Sequence, residues 1–247
     1  MIALLPLRLT NYRILIGCFA LLLISAKSNA EQPLHWGFVH FPPFHYQTAE
    51  GAAEGLLVEL VDEVMAAINR EYTFQQYPNR RMIHLLNEGK LDFAVVMTSV
   101  LEDKSLYKIS HYPVSSMQLS AFWLGDREPV TRVGDLFGSR VILMSGFSYG
   151  GIRHMLEPAY GVVREVVEVD QHALGIDALR LDRGDYLLNY KETATLAVPE
   201  HEVAGIHYSV LNRVNIYFLL RADLPGSAQL MQQIETALAA IQSNHSG

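Results

Sequence analysis

The chain has a single cysteine, Cys18, in 247 residues, so it cannot close a disulfide on itself and carries no C-x-x-C metal or redox motif. Charge is also scarce: Asp, Glu, Lys and Arg make up 18% of the residues, against roughly 25% in an average soluble domain. Gly 17 and Pro 10 exclude a collagen-like chain, and the absence of heptads or any internal repeat excludes coiled coils and solenoids. Basic charge is short too, with 19 Lys+Arg against 26 Asp+Glu. What the chain has in quantity is apolar surface, 50% of its residues, which excludes disorder and is enough for a sizeable core.

Part of that apolar excess is local. Ile14 to Ala26 is a run of 13 residues with Arg8 and Arg13 before it and Lys27-Ser28-Asn29-Ala30 after it. This is the pattern of a secretory leader: a positive start, an apolar centre and a small-x-small cleavage site, here after Ala30. As a helix the run would span only ~20 Å, short of the ~30 Å hydrocarbon core, so removal is favoured over a retained anchor. Leu15-Ile16-Gly17-Cys18 resembles a lipobox, but apolar residues continue through Ile24 where a lipoprotein would already be polar. Cleavage after Ala30 leaves 217 residues without cysteine, with 16 Lys+Arg against 26 Asp+Glu and a net charge of −10. Such a surface argues against nucleic acid and against anionic lipid as partners.

The remaining sequence alternates short apolar runs with segments of helical period, which argues for α/β architecture with largely parallel sheets. Strands are expected at Leu34 to Val39, Tyr72 to Gln76 and Asp92 to Met97, with helices at Gly55 to Ile68 and Asn79 to Asn87. After a crossing strand from Met117 to Leu124, Gly125 to Pro129 reads as a boundary. A second unit follows, with strands at Arg140 to Met144, Val162 to Val169 and Tyr186 to Asn189, and helices at Tyr149 to Leu156 and Gln171 to Leu181. The chain closes with a strand from Val214 to Leu220 and an amphipathic helix from Ala228 to Ile241. Two α/β lobes with separate sheets, joined by extended crossings, place a ligand cleft between them.

One motif points to chemistry. Gly146-Phe147-Ser148-Tyr149-Gly150 fits G-x-S-x-G between an expected strand and helix, the setting of a nucleophile elbow. Asp170, Asp182 and Asp185, followed by His172, His201 and His207, offer partners for a serine esterase. Against this, no HGGG-type segment precedes Ser148, and glycines with a hydroxyl at a helix start also hold an anionic ligand group. His40 and His45 form H-x4-H with no third ligand nearby, so no metal is expected. The acid pairs Asp62-Glu63 and Glu102-Asp103 read as solvated surface, and no residue suggests a cofactor.

With these elements in place, the chain resembles the bacterial extracellular solute-binding proteins of family 3, the periplasmic receptors typified by amino-acid ABC importers. The resemblance rests on five ordered motifs. Leu34-His35-Trp36-Gly37-Phe38 with Phe41-Pro42-Pro43-Phe44 is similar to the family's opening strand and Pro-Pro-Phe loop, and Gly55-Leu56-Leu57-Val58-Glu59-Leu60 to its next helix start. Leu85 to Val96, with Gly89 and Asp92, is similar to its "L..G..D" passage. Gly134 to Val141 with Gly146 is similar to the opening of its second lobe, and Ala178-Leu179-Arg180 with Gly184 and Asp185 to its "aL..GraD" passage.

The resemblance implies a type II periplasmic-binding-protein fold that closes on a small polar, amino-acid-like solute by hinge motion. Lobe one would comprise 31–123 and 212–247, and lobe two 124–211. It implies a monomeric, non-enzymatic periplasmic receptor, serving an inner-membrane ABC permease or standing alone as a sensor. In the family's amino-acid receptors an Arg forks onto the ligand carboxylate and an Asp takes its ammonium; here those positions fall on Asp103 or Lys104 and on Tyr190. By position, the resemblance picks out Phe44 and Tyr46 as stacking residues, and Thr98 and Ser99 at a strand end. It also picks out Gly146, Ser148 and Tyr149 in the lobe-two turn, with Tyr190, Lys104 and Arg81, the last similar to the Arg of a "PW.R" segment. The sequence stops at Gly247, before a last helix that many members carry.

Overall fold

The computed structural model describes residues 32–157, 160–196 and 205–245, so the leader and its cleavage site lie outside the described residues. The chain divides into Met1–Gln32 and Pro33–Gly247, and every element below belongs to the second unit. Its first part runs β1 (Leu34–Phe38), β2 (Tyr46–Gln47), β3 (Ala53–Glu54), α1 (Leu56–Ala67), β4 (Tyr72–Gln76), α2 (Asn79–Asn87) and β5 (Phe93–Val96). β6 (Tyr107–Ile109) and β7 (Ser115–Leu124) follow. Next come β8 (Arg140–Met144), α3 (Ile152–Leu156), β9 (Glu165–Val169), α4 (His172–Arg180), β10 (Tyr186–Tyr190) and α5 (Lys191–Leu196). β11 (Ile206–Arg221) and α6 (Ser227–His245) complete the unit.

The expected pair of separate sheets is one continuous path, β4-β1-β5-β11-β7-β10-β8-β9, with β6 pairing β11 at the side. At one end β1 lies parallel between β4 and β5; at the other β8 lies parallel between β10 and β9. The ribbon of β7 and β11 joins the two triplets, with antiparallel pairing from Ile206↔Leu124 to Ile216↔Ser115 and a register shift between Val210 and Asn212. β11 is 16 residues long, nine more than the apolar run Val214 to Leu220 announces. Its earlier stretch faces solvent on most positions and sets His207, Ser209, Asn212 and Arg213 among Ile206, Tyr208, Val210 and Leu211, so its apolar signal is weak. Pairing with β7, not hydrophobicity, makes it a strand.

The two triplets are pinned in the same way. Asp92, just before β5, accepts a hydrogen bond from the His35 N–H at the start of β1 (2.8 Å) and pairs with Arg221 (3.0 Å). Asp185, just before β10, accepts from the Arg140 N–H at the start of β8 (2.7 Å) and from its guanidinium (2.9 Å). Burial alone would raise the Asp185 carboxyl, but the Arg140 hydrogen bonds and the Arg140 and Arg127 charges outweigh it and hold the group below its usual range.

The core follows from element periodicity. On α1, Leu57, Val58, Val61, Val64 and Met65 are buried, one face of a 3.6-residue repeat. The first N–H groups of α1 find no side-chain cap; Leu56 and Leu57 donate instead to the Pro43 and Phe44 carbonyls (2.9 and 2.8 Å), which seats the Phe-Pro-Pro-Phe turn on the helix. The helix expected over Tyr149 to Leu156 is shorter, beginning at Ile152. Tyr149, Gly150 and Gly151 have φ of 51°, 68° and 98°, left-handed values that cannot continue an α-helix.

Candidate functional site

A cavity of about 60 Å³ lies between the two triplets. Its walls come from the end of β1 and the following turn (Val39, Phe41, His45), from α2 (Asn79, Met82, Ile83) and from the end of β5 (Val96, Met97). From the other side come Gly146, Phe147 and Ser148, in the turn after β8. A wider groove of about 920 Å³ adjoins it, sharing Val39, Asn79 and Phe147 and lined further by His40, Arg80, Asp170, Gln171, His172 and Thr193.

Phe41 closes the boundary between the triplets. It is 5% exposed, and its ring lies 5.8 Å from Phe147, 5.5 Å from His172 and 5.5 Å from Tyr190, edge-on to the last. These separations are those of favourable aromatic pairs. The turn that carries Phe41 is tied by its own backbone, with the Phe41 N–H donating to the His45 carbonyl (2.8 Å) and the His45 N–H returning to the Phe41 carbonyl (3.1 Å).

One hydrogen bond crosses directly. Asn79 Nδ2 donates to the Gly146 carbonyl at 2.9 Å, which leaves Asn79 Oδ1 as an acceptor at the cavity wall. Gly146 permits that approach: its φ is 77°, and a Cβ there would sit 3.3 Å from both Asn79 Nδ2 and Arg80 Cγ.

The polar groups of the cavity wall and of the residues packed directly behind it are neutral. His45 Nδ1 lies 2.8 Å from the Val39 carbonyl, which can only accept, so Nδ1 carries the proton and Nε2 the lone pair. Burial lowers the His45 pKa to about 4. Beside the cavity, Asn189 Oδ1 accepts from the Tyr190 N–H (2.8 Å), which fixes its amide and makes His172 Nδ1 the donor to it at 3.0 Å. Burial likewise lowers His172 to about 4. Tyr190 is fully buried, its hydroxyl 3.9 Å from Met97 Sδ across the boundary, and burial pushes its pKa well up. At and beside the site, three buried polar atoms have no hydrogen-bond partner among the described residues: Ser148 Oγ in the cavity wall, Asn189 Nδ2, and Thr193 Oγ1 beside the groove.

The residues picked out by position scatter. Gly146 and Ser148 line the cavity, and Tyr190 packs against Phe41 and Phe147 beside it. Tyr149 lies fully buried under the turn, its Oη accepting from the Met144 N–H at 2.6 Å. Phe44 stacks on the far side of Phe41 in the core (5.5 Å), and Tyr46 donates to Glu54 across the β2–β3 hairpin (3.0 Å). Thr98 and Ser99 form a 3-10 turn whose neighbours Met97 and Val100 line the cavity in their place. Asp103 caps the turn Lys104–Leu106 by accepting from the Ser105 N–H (2.8 Å), and Lys104 and Arg81 are exposed. Sequence reading missed Asn79, Phe147 and Met97. Asn79 had one visible signal, a polar side chain directly after Pro78 at a helix start.

No serine-hydrolase pair is assembled among the described residues. A serine nucleophile needs a base at hydrogen-bond distance, yet Ser148 Oγ has no partner. His201 lies outside the described residues.

The sequence profile of the bacterial extracellular solute-binding proteins, family 3, matches residues 37–246, and the chain belongs to that family. Among solved structures it is similar to a histidine kinase sensor domain with similarity to periplasmic binding proteins, at 17% identity and TM-score 0.70, covering 87% of this chain and 92% of that one. An ancestral arginine-binding protein bound to arginine is 18% identical with TM-score 0.67, over 86% of this chain and 93% of that one. The GluR0 ligand-binding core in complex with L-glutamate is 15% identical with TM-score 0.66, over 85% and 94%. Comparison with curated protein sequences gives no match. At these identities the likeness carries the fold, which is that of periplasmic binding proteins.

Proposed function

We propose that the protein is a non-enzymatic receptor that captures a small solute between two lobes, residues 31–123 with 212–247 and residues 124–211, by closure about the β7–β11 ribbon. In this reading it works as a periplasmic monomer after removal of residues 1–30 and hands its solute to an inner-membrane ABC permease. Gly146, Ser148 and Tyr190 stand at the solute, joined by Phe41, His45 and Asn79. The observation that carries the reading is the cavity walled by both triplets, with an unpartnered Ser148 hydroxyl in its wall. A thermal-shift screen tests it, using amino acids, amines, organic acids, alcohols, phenols, sugars and short peptides. A true ligand at ~100 times its dissociation constant adds about 2.7 kcal/mol of stability. Silence across the whole panel overturns the reading.

A second reading, a periplasmic sensor, draws on the likeness to a kinase sensor domain. Cells lacking the chain distinguish the two: an importer's loss abolishes solute uptake, whereas a sensor's loss leaves uptake intact and abolishes the response to the solute.

A further inference from the structure

Among the residues lining the cavity none carries a charged side chain. Of the nearest charges, Lys104 and Arg81 face solvent and Asp103 caps its own turn, while Arg80 and Asp170 line the adjoining groove and not the cavity wall. The one titratable group in the wall, His45, is held neutral by burial. Apart from Asn79, Gly146 and Ser148 the rest of the wall is aliphatic, aromatic and thioether, with Met82, Met97 and Met117 supplying flexible, polarisable surface.

An α-amino acid brings an ammonium and a carboxylate together, and removing each from water costs several kcal/mol unless an opposite charge or a full set of hydrogen bonds receives it. This wall offers neither. It offers one hydroxyl donor without a partner, Ser148 Oγ, and two acceptors, Asn79 Oδ1 and His45 Nε2. A group that both accepts and donates satisfies such a set, and a neutral hydroxyl does so without charge.

Resting on the receptor reading above, we propose that the solute is an uncharged, largely apolar molecule carrying a hydroxyl, of the alcohol or phenol class, and not a zwitterionic amino acid. The cavity as it stands has room for only about five water-sized units at ~10–15 Å³ each, so the solute is small or displaces Phe41. The Ser148 hydroxyl donates to the solute oxygen, and the solute hydroxyl donates to His45 or Asn79.

The test uses protein labelled with 13C at the methionine methyls, titrated with two matched sets: benzyl alcohol, benzylammonium and benzoate, and 1-butanol, butylammonium and butyrate. L-Arginine and L-glutamate are added separately. The alcohols are expected to shift the Met82, Met97 and Met117 methyl signals saturably, and the charged compounds at equal concentration are not. Ser148→Ala should weaken alcohol binding about fivefold to tenfold, and Lys104→Ala should leave it unchanged. If a charged member or an amino acid binds more tightly than its matched alcohol, or if Lys104→Ala abolishes binding, the inference falls while the receptor reading stands. If the alcohols and the wider panel are all silent, both fall.

Discussion

Asn79 and Gly146, 67 positions apart, are joined by a 2.9 Å hydrogen bond from the Asn79 amide to the Gly146 carbonyl, a direct tie between the two parallel triplets. The bond depends on what Gly146 lacks, since a Cβ would press on Asn79 and Arg80 and φ is 77°. Gly146→Ala should therefore destabilise the protein by about 1–2 kcal/mol. Asn79→Ala removes only the bond and should cost about 1 kcal/mol. Solution scattering checks the conformational side: both variants should increase the radius of gyration of the ligand-free protein, and an unchanged radius would show that the tie does not hold the halves together.

Phe41 packs against three rings at the same boundary. Phe41→Ala leaves a void against Phe147, His172 and Tyr190 and should cost about 3–4 kcal/mol in urea unfolding. Phe44→Ala serves as the comparison, because Phe44 is equally buried but lies away from the boundary. Both should lower the unfolding midpoint, and only Phe41→Ala should alter the cavity that the solute enters.

Acid should expose the two buried histidines. His45 and His172 have folded pKa values of about 4, below the ordinary 6.5, so the unfolded chain binds more protons in that interval. Stability is then fully present above pH 6.5 and declines as pH falls from 6.5 toward 4. For His45, fully buried, the contribution is about 3 kcal/mol. Urea midpoints measured between pH 7.5 and 4.5 should show this slope, and His45→Gln should flatten it. A wild-type midpoint that stays level over the interval contradicts the assignment.

The carboxylates that pin the triplets each accept a backbone hydrogen bond as well as pairing with an arginine. Asp185, paired with Arg140 and nearly buried, should cost about 2–3 kcal/mol when changed to Asn. Asp92→Asn should have the same sign, because Asp92 accepts from the first strand of its own triplet in the equivalent place. If either change is neutral at pH 7, the pinning role is wrong for that triplet.

Ser148 offers a last check. With no base at its Oγ, it should stay unlabelled by a fluorophosphonate probe. Labelling that vanishes in Ser148→Ala would make the turn a nucleophile elbow after all.

The fold was legible where apolar spacing is strong. Tyr72–Gln76, Asn79–Asn87 and Arg140–Met144 have the bounds their patterns announce, because each is enclosed by sharp changes in period or by Pro78 and Gly89. The stretch Ile206–Arg213 was hidden because its strand character comes from a distant partner, and α5 because Lys191–Leu196 is too short for a period to show. At the site, Gly146 and Ser148 stood out through their turn chemistry. The symmetric Phe41-Pro42-Pro43-Phe44 gave no means of telling which phenylalanine faces the cavity; that is decided by the Phe41–His45 backbone pairing. Lys104 was drawn in by alignment alone, and Asp103 turns its segment outward by capping it.

The place of β11 in the sheet sets an order of assembly. It lies between β5 and β7, which precede it by roughly a hundred residues, while β8, β9 and β10 follow one another in the chain and pair with one another and with the earlier β7. During synthesis the second triplet can close early, because β7, the remaining partner of β10, has already emerged, but β5 keeps an unpaired edge until the C-terminal residues emerge, and α6 must still pack on α1. Contacts of such long sequence separation make the first triplet the slow one to fold, and its open edge is the surface by which an unfinished chain would aggregate.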